Sequence, residues 1–133
     1  MPLHVELVSP EIVLFSGEAD MVITKTVGGG DIAFLPGHAP FLGAVSNAPI
    51  RIVRGDETIV AAVHGGFVEV SDNRVTILAD IAELAGTIDL ARAELAKREA
   101  EAKLERGQDG EAEGALARAV LRIDVAGTTH LSR

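Results

Sequence analysis

Two arginines in the last quarter of the chain have the type and spacing of a phosphate-binding pair. Arg118 and Arg122 lie four residues apart in a segment of good helix formers, and residues at that spacing project from the same face of a helix. A guanidinium group presents several N–H donors that match phosphate oxygens. The pair could therefore form a phosphate clamp, and the Asp89 carboxylate could accept hydrogen bonds from an amine or hydroxyl of the same ligand.

Other sequence features that could indicate a catalytic or metal site lack the required spacing or residue types. The triple glycine at 28–30 lacks a following Lys-Ser/Thr and does not open a helix, so it predicts a mobile hairpin loop rather than a phosphate loop. The chain has no cysteine and no Gly-x-Ser-x-Gly segment. No two histidines have metal-ligand spacing; they are His4, His38, His64 and His130. We expect no catalytic constellation and no metal site.

Charge and composition argue against two classes of target. The 133 residues carry a formal net charge of -8, and the aromatic residues are 4 phenylalanines. This sign and composition oppose binding to nucleic acid. No apolar run approaches the roughly 20 residues that cross a bilayer, and residues 1–6 lack the pattern of a signal peptide. We therefore expect no nucleic-acid partner and no direct membrane insertion, so that any membrane association depends on a partner protein.

Residues 1–86 have the pattern of short strands separated by turns. Leu3, Val5 and Leu7 alternate with polar residues, which is the period of a half-buried strand. Further strand-like runs span 21–24, 58–63 and 75–78. The turn signals between the runs are Ser16-Gly17, 28–30, Gly55-Asp56, Gly65-Gly66 and 71–73. This spacing favours a sandwich or barrel over a parallel sheet with crossover helices.

Residues 87–133 change to the helical period. The segment 88–106 contains no Gly or Pro, and Thr87 is its predicted N-cap. Residues 107–110 interrupt the pattern, and a second helix is predicted over 111–125. Helices joined by so short a connection should form an antiparallel αα-hairpin. Their apolar stripes are narrow and rich in alanine, so we expect a hairpin that is held weakly and is able to detach.

Three segments carry a resemblance to a known family. They are the glycine-to-proline segment 30–40 (GDIAFLPGHAP), the glycine-pair strand 65–70 (GGFVEV) and the strand 75–79 (VTILA). Together with the helical tail, and in this order, they resemble the epsilon subunits of F-type ATP synthases. The resemblance covers nearly the whole chain. It implies an antiparallel β-sandwich over residues 1–86, which docks on the shaft and ring, and a regulatory helical hairpin over 87–133.

The resemblance also implies a function and a set of partners. The chain would be a non-catalytic central-stalk subunit that couples the gamma subunit to the c-ring and restrains ATP hydrolysis. Its extended hairpin would reach the catalytic head, and the complex would lie on the cytoplasmic face of the cell membrane. Asp31 and His38 match family positions that face the ring. An exposed carboxylate and a histidine between prolines are compatible with polar ring loops.

A second signature belongs to family members that bind ATP in the folded hairpin. Residues 88–93 (IDLARA) reproduce its I-D-x-x-R-A pattern. The resemblance implies a nucleotide site at Glu83, Ile88, Asp89, Arg92, Ala93, Arg118 and Arg122. ATP would be a regulatory ligand, with no cofactor required. The sequence departs from the pattern at Glu99, where the nucleotide-binding members have an arginine, and Arg98 projects about 100° away around the helix.

Two other functions remain open at this point. One is a free-standing protein that senses ATP without belonging to a motor. The other is a small β-sandwich enzyme with a site that these motifs do not reveal. Co-purification with a gamma-like partner, an ATP response in the absence of partners, and turnover by the isolated chain distinguish the three.

Overall fold

The strand pattern of residues 1–86 forms a β-sandwich in the computed structural model, which describes residues 2–107 and 109–128. Its strands are β1 (Leu3–Val8), β2 (Val13–Ala19), β3 (Met21–Thr26), β4 (Gly30–Phe34), β5 (Phe41–Val45), β6 (Ala48–Arg54), β7 (Glu57–Ser71) and β8 (Arg74–Leu84). A single 3₁₀ turn (Ala85–Thr87) leads to α1 (Leu90–Glu105) and α2 (Gly110–Gly127). The predicted sandwich followed by two helices is confirmed.

Strand β7 connects the two layers of the sandwich. Its first half pairs with β6 over 57–63, and its second half pairs with β5 over 66–70, while β8 runs along its other side. Strands β1 and β2 extend the layer beyond β8, and β3 and β4 extend the other layer beyond β6. One pair departs from the antiparallel pattern: β1 and β8 run parallel, with Leu7 opposite Ile77. These two strands are far apart in sequence, so no hairpin fixes their relative direction.

The core lies between the layers and follows the period of two in each strand. In β1 the buried side chains are Leu3, Val5 and Leu7, as the alternation predicts. They pack with the inward residues of the other strands, of which the largest are Phe34, Ile50, Ile52 and Ile77. The core therefore fixes which side chains each strand leaves on its outer face.

Two predicted turns are wrong. Ser16 and Gly17 lie inside β2, and Gly65 and Gly66 lie inside β7. The glycine pair marks the point where β7 changes partner from β6 to β5, and both residues have positive φ, +79° and +138°. A Cβ on Gly66 would stand 2.1 Å from the carbonyl oxygen of Leu78. Glycine is therefore required here for a bend within a strand, not for a reversal of the chain.

The predicted N-cap of the first helix is also wrong. The Thr87 hydroxyl donates to the carbonyl oxygen of Leu84 at 2.8 Å, inside the 3₁₀ turn. The N-cap of α1 lies two residues later, where the Asp89 carboxylate accepts from the backbone N–H of Arg92 at 3.1 Å. The second helix has the same arrangement, because Asp109 accepts from the N–H groups of Glu111 and Ala112. Aspartate is a strong N-cap because its oxygen satisfies an amide that has no partner within the helix.

The two helices pack against each other through alanines. Ala93 and Ala100 of α1 are buried with Ala112 and Ala119 of α2. Small side chains let the helices approach closely but bury little apolar area. Contact with the sandwich comes from α2, whose Leu121 and Val125 pack on Val60 and Ala62 of β7. The apolar attachment of the hairpin to the strands is therefore one small cluster.

Candidate functional site

A cleft of about 390 Å³ lies where the end of β8, the start of α1 and the last turns of α2 meet. Its lining residues are Glu83, Thr87, Ile88, Asp89, Arg92, Ala93, Ala96 and Arg122. Six of the seven residues predicted for the nucleotide site are among them; the seventh, Arg118, is not. Residues 83 and 122 are distant in sequence and meet because the hairpin folds back on the sandwich. The cleft has the volume of a small-molecule site.

An ion pair between the sandwich and the hairpin closes one side of this cleft. Nε of Arg122 donates to both carboxylate oxygens of Glu83, at 2.8 and 3.0 Å. The two side chains are 27% and 30% exposed, so water screens the pair only in part. Arg122 has four further N–H donors on its terminal nitrogens. These donors can bind an anion without loss of the bond to Glu83.

Asp89 has a structural role in addition to the predicted one. Its Oδ1 atom accepts from the backbone N–H of Arg92, which fixes the start of α1. Both Asp89 and Arg92 line the cleft. A carboxylate has lone pairs beyond those used by one cap. Asp89 can therefore cap the helix and accept a hydrogen bond from a ligand at the same time.

Arg118 and Glu99 lie outside the cleft. Arg118 extends back along α2, where its Nη1 atom is 3.3 Å from the position that a Cβ on Gly114 would take. Glu99 lines a separate cavity of about 130 Å³ between the two helices, close to their connection. The carboxylate that departs from the family pattern therefore does not lie against Arg92 or Arg122.

His64 contacts the cleft residue Glu83 without lining the cleft itself, and the sequence did not identify this contact. The side chain is 4% exposed, and Nε2 lies 3.2 Å from Oε1 of Glu83. Because a carboxylate only accepts, Nε2 carries the hydrogen, and Nδ1 has no hydrogen-bond partner among the described residues. Burial lowers the pKa of His64 from 6.5, the hydrogen bond to Glu83 opposes that shift, and the charges of Arg122 and Arg118 add to it. The ring is therefore neutral near pH 7.

One sequence signal was available for the burial of His64. Residues 59–63 are all apolar, so both faces of this part of β7 must be covered. His64 shares a face with Val60 and Ala62, which pack under α2. Its partner Glu83 comes from another strand, and no local pattern connects the two.

Comparison with known protein families identifies the family to which the chain belongs. The family model described as ATP synthase, Delta/Epsilon chain, beta-sandwich domain matches residues 2–85. The model described as ATP synthase, Delta/Epsilon chain, long alpha-helix domain matches residues 87–127. The chain belongs to the ATP synthase delta/epsilon chain family. The predicted non-catalytic subunit of the rotor stalk is thereby confirmed.

Individual members of the family are similar over most of their length. The ATP synthase epsilon chain of Streptomyces avermitilis is 49% identical over 112 residues, which cover 80% of this chain and 90% of the relative. The epsilon chain of Halalkalibacterium halodurans is 42% identical over 130 residues, covering 94% and 97%. A chain in the Euglena gracilis mitochondrial ATP synthase superposes with a TM-score of 0.77 at 20% identity, covering 95% of this chain and 81% of that one. At that identity the likeness shows the fold alone.

The two residues predicted to face the ring lie at opposite ends of β4. Asp31 is the second residue of the strand, opposite Lys25, and lines an open groove beside α2. His38 follows the other end, where its ring packs edge-on against Phe34 at 4.9 Å. The backbone N–H of the adjacent Gly37 donates to Oδ1 of Asn73 at 2.6 Å, which ties this loop to the β7–β8 turn. Contact of either residue with a ring remains a prediction.

Metal binding and membrane spanning each require specific structural features. Within residues 2–107 and 109–128, no group of three or more His, Cys, Asp or Glu side chains could hold a metal ion. None of the helices in the same ranges has the length and hydropathy needed to span a membrane.

Proposed function

We propose that this rotor subunit has two parts with separate roles. The sandwich (residues 1–86) docks on the gamma subunit and the c-ring, so that rotation of the ring reaches the catalytic head. The hairpin (residues 87–133) alternates between the docked form described above and an extended form that contacts the catalytic head and restrains hydrolysis. The complex then holds this chain at the cytoplasmic face of the cell membrane.

The observation that carries this proposal is the small junction between the hairpin and the sandwich. The apolar part of the junction consists of four buried side chains, Val60, Ala62, Leu121 and Val125, with Ala85 and Ile88 at its margin. Burial of so few side chains stabilises the docked form by roughly several kcal/mol. The sandwich has its own separate core. The hairpin can therefore leave without disruption of the part that docks.

An apolar patch on the outer face of the sandwich supports docking on gamma. Phe67 and Leu78 lie directly opposite each other on β7 and β8, and they are 54% and 51% exposed. Leu42 on the neighbouring β5 is 72% exposed. Large exposed apolar side chains on adjacent strands are typical of a protein interface. This patch is the proposed contact for gamma.

The cleft between β8, α1 and α2 is the proposed ATP site. Arg92 and Arg122 supply cations for the phosphates, Ile88 and Ala93 supply an apolar wall, and Glu83 and Asp89 accept hydrogen bonds from the base or ribose. Arg118 would join the site only if its side chain turned away from Gly114. Because the lining comes from both the sandwich and the hairpin, ATP bound here would stabilise the docked form.

The test of the proposed function is co-purification of the tagged chain with its partners. The full chain should bring down the gamma subunit and the ring, and a truncation after Gly86 should do so equally well while it fails to restrain ATP hydrolysis. If truncation abolishes assembly, the division of roles is wrong. An ATP response of the chain without any binding to gamma would instead favour a free-standing nucleotide sensor.

A further inference from the structure

Three ionisable side chains form a row of contacts where β7, β8 and α2 meet: His64, Glu83 and Arg122. Nε2 of His64 lies 3.2 Å from Oε1 of Glu83, and Nε of Arg122 lies 2.8 Å from the same oxygen. His64 belongs to the sandwich and Arg122 to the hairpin. Glu83 therefore bonds to one residue of each part. We propose that this cluster is a proton-sensitive attachment, which holds α2 on the sandwich while His64 is neutral and releases it when His64 is protonated.

Protonation of His64 would change the charges at this contact. With neutral His64, the negative charge of Glu83 is balanced by Arg122. A second cation on His64 competes with Arg122 for Oε1 and repels both Arg122 and Arg118 on α2. The added hydrogen is on Nδ1, a buried atom with no acceptor among the described residues. A buried donor without a partner is strongly unfavourable. Each of these effects raises the free energy of the docked form relative to the undocked form.

The groups around His64 come from a small number of elements. Strand β8 presents Glu83, and helix α2 presents Arg118 and Arg122. Asp80 of β8 lies beside the neighbouring Gly65, where its Oδ2 atom is 2.9 Å from the position of an added Cβ. The arginines of β6 pair further along β7, with Arg51 opposite Val60. The charges that decide the effect are therefore one carboxylate and two guanidinium groups.

Linkage gives the direction of the pH effect. Burial under α2 lowers the pKa of His64 from 6.5, and departure of the helix exposes the ring and returns the pKa towards that value. The undocked form then binds more protons than the docked form below about pH 6.5. The stability of the docked form relative to the undocked form is therefore greatest above this pH and decreases as the pH falls. One proton changes the ratio of undocked to docked chain by at most about tenfold for each pH unit.

The experiment measures the distance between the sandwich and the hairpin as a function of pH. The chain has no cysteine, so two fluorophores can be attached through Asp56→Cys and Glu101→Cys, both at exposed positions. Energy transfer is recorded from pH 8 to pH 5.5, without nucleotide or partner subunits. We expect the undocked fraction to grow below pH 6.5 in the native sequence. His64→Gln, which keeps a donor for Glu83 but cannot titrate, should abolish this growth.

The controls separate release of the helix from other effects. His4→Gln removes an exposed histidine, whose side chain is 41% exposed, and should leave the pH response unchanged. An equal response in His64→Gln, no response in the native sequence, or a parallel loss of far-ultraviolet circular dichroism that signals global unfolding would each overturn the proposal. Because ATP and the partner subunits are absent, failure here leaves the rotor function untouched.

Discussion

Arg122 reaches across from the second helix and donates from Nε to both oxygens of Glu83, at 2.8 and 3.0 Å. Glu83 is the penultimate residue of the last strand, so this ion pair joins the end of the sandwich to the hairpin. It is also a wall of the cleft that we propose for ATP. A single contact therefore influences both the attachment of the hairpin and the affinity of the site.

Removal of this charge should loosen the helix without unfolding the sandwich. Glu83→Gln keeps the size of the side chain but weakens its bond to Arg122. Because both side chains are partly exposed, at 27% and 30%, we expect a loss of about 1 kcal/mol, which is about fivefold in the docking equilibrium. Hydrogen exchange of the α2 backbone amides measures this change directly.

A matched control exists on the sandwich. Arg54 and Glu57 form a more exposed pair at 4.0 Å, so Glu57→Gln should leave α2 exchange unaltered. Equal exchange rates in Glu83→Gln and the native chain would show that the apolar cluster alone holds the hairpin.

ATP should bind in the cleft through Arg122. A charge-assisted hydrogen bond contributes roughly 1.5–3 kcal/mol, so Arg122→Ala should weaken binding by about tenfold or more. Calorimetric titration with ATP to several millimolar, together with the shift in melting temperature, measures the affinity.

Two control variants show whether a loss of ATP affinity comes from a lost contact with the ligand. Arg98→Ala removes an exposed arginine of α1 that is not part of the cleft lining, and it should leave the affinity unchanged. Val125→Ala weakens the apolar cluster that holds the hairpin but changes no residue of the cleft lining, and so distinguishes loss of docking from loss of a ligand contact. If the native chain gives no heat and no melting shift, the arginines have structural roles only, and the rotor function still stands.

The outer face of the sandwich should determine assembly. Phe67→Glu places a charge at the centre of the proposed gamma contact and should reduce affinity for gamma by about tenfold or more, because the carboxylate must lose its water on docking. Leu95→Glu, at an equally exposed position on α1, should leave affinity unchanged. Quantitative pull-down with gamma makes the comparison. Similar losses in both variants would place the contact elsewhere.

Gly66 should tolerate no side chain. A Cβ there would lie 2.1 Å from the carbonyl oxygen of Leu78, and φ is +138°, so we expect Gly66→Ala to destabilise the sandwich by about 3 kcal/mol. Gly28→Ala provides the comparison, since φ there is +77° but no atom lies within 4 Å of the added Cβ. It should cost about 1 kcal/mol. Urea denaturation followed by circular dichroism distinguishes the two, and equal losses would contradict the steric explanation.

Local pattern predicted what local forces determine. The alternation of Leu3, Val5 and Leu7 predicted both the strand and its buried face, and the change of period after residue 86 predicted the helices. The glycine pair at 65 and 66 was misread because a turn and a bend within a strand need the same backbone freedom. Thr87 and Asp89 are both good N-caps, and the bond from Thr87 to Leu84 decided between them.

Contacts between distant segments were beyond the reach of local pattern. Nothing near His64 indicates that Glu83 approaches it, or that Arg122 approaches Glu83 from a third element. Resemblance to the family supplied Glu83 and Arg122 as site residues but not the bond between them. The separation of Arg118 from the cleft likewise depends on rotamers, which helical spacing does not determine.

The parallel pairing of β1 with β8 affects how the chain folds during its synthesis. The first strand leaves the ribosome early, yet one of its two neighbours is encoded about 70 residues later, which at roughly 5–20 residues per second is a delay of several seconds. During that time β1 can pair only with β2, and the face that carries Leu3, Val5 and Leu7 lacks its final cover. Closure of the sandwich must wait for β8, and the surface on which α2 rests forms only then. Synthesis therefore completes the sandwich before the hairpin can dock on it.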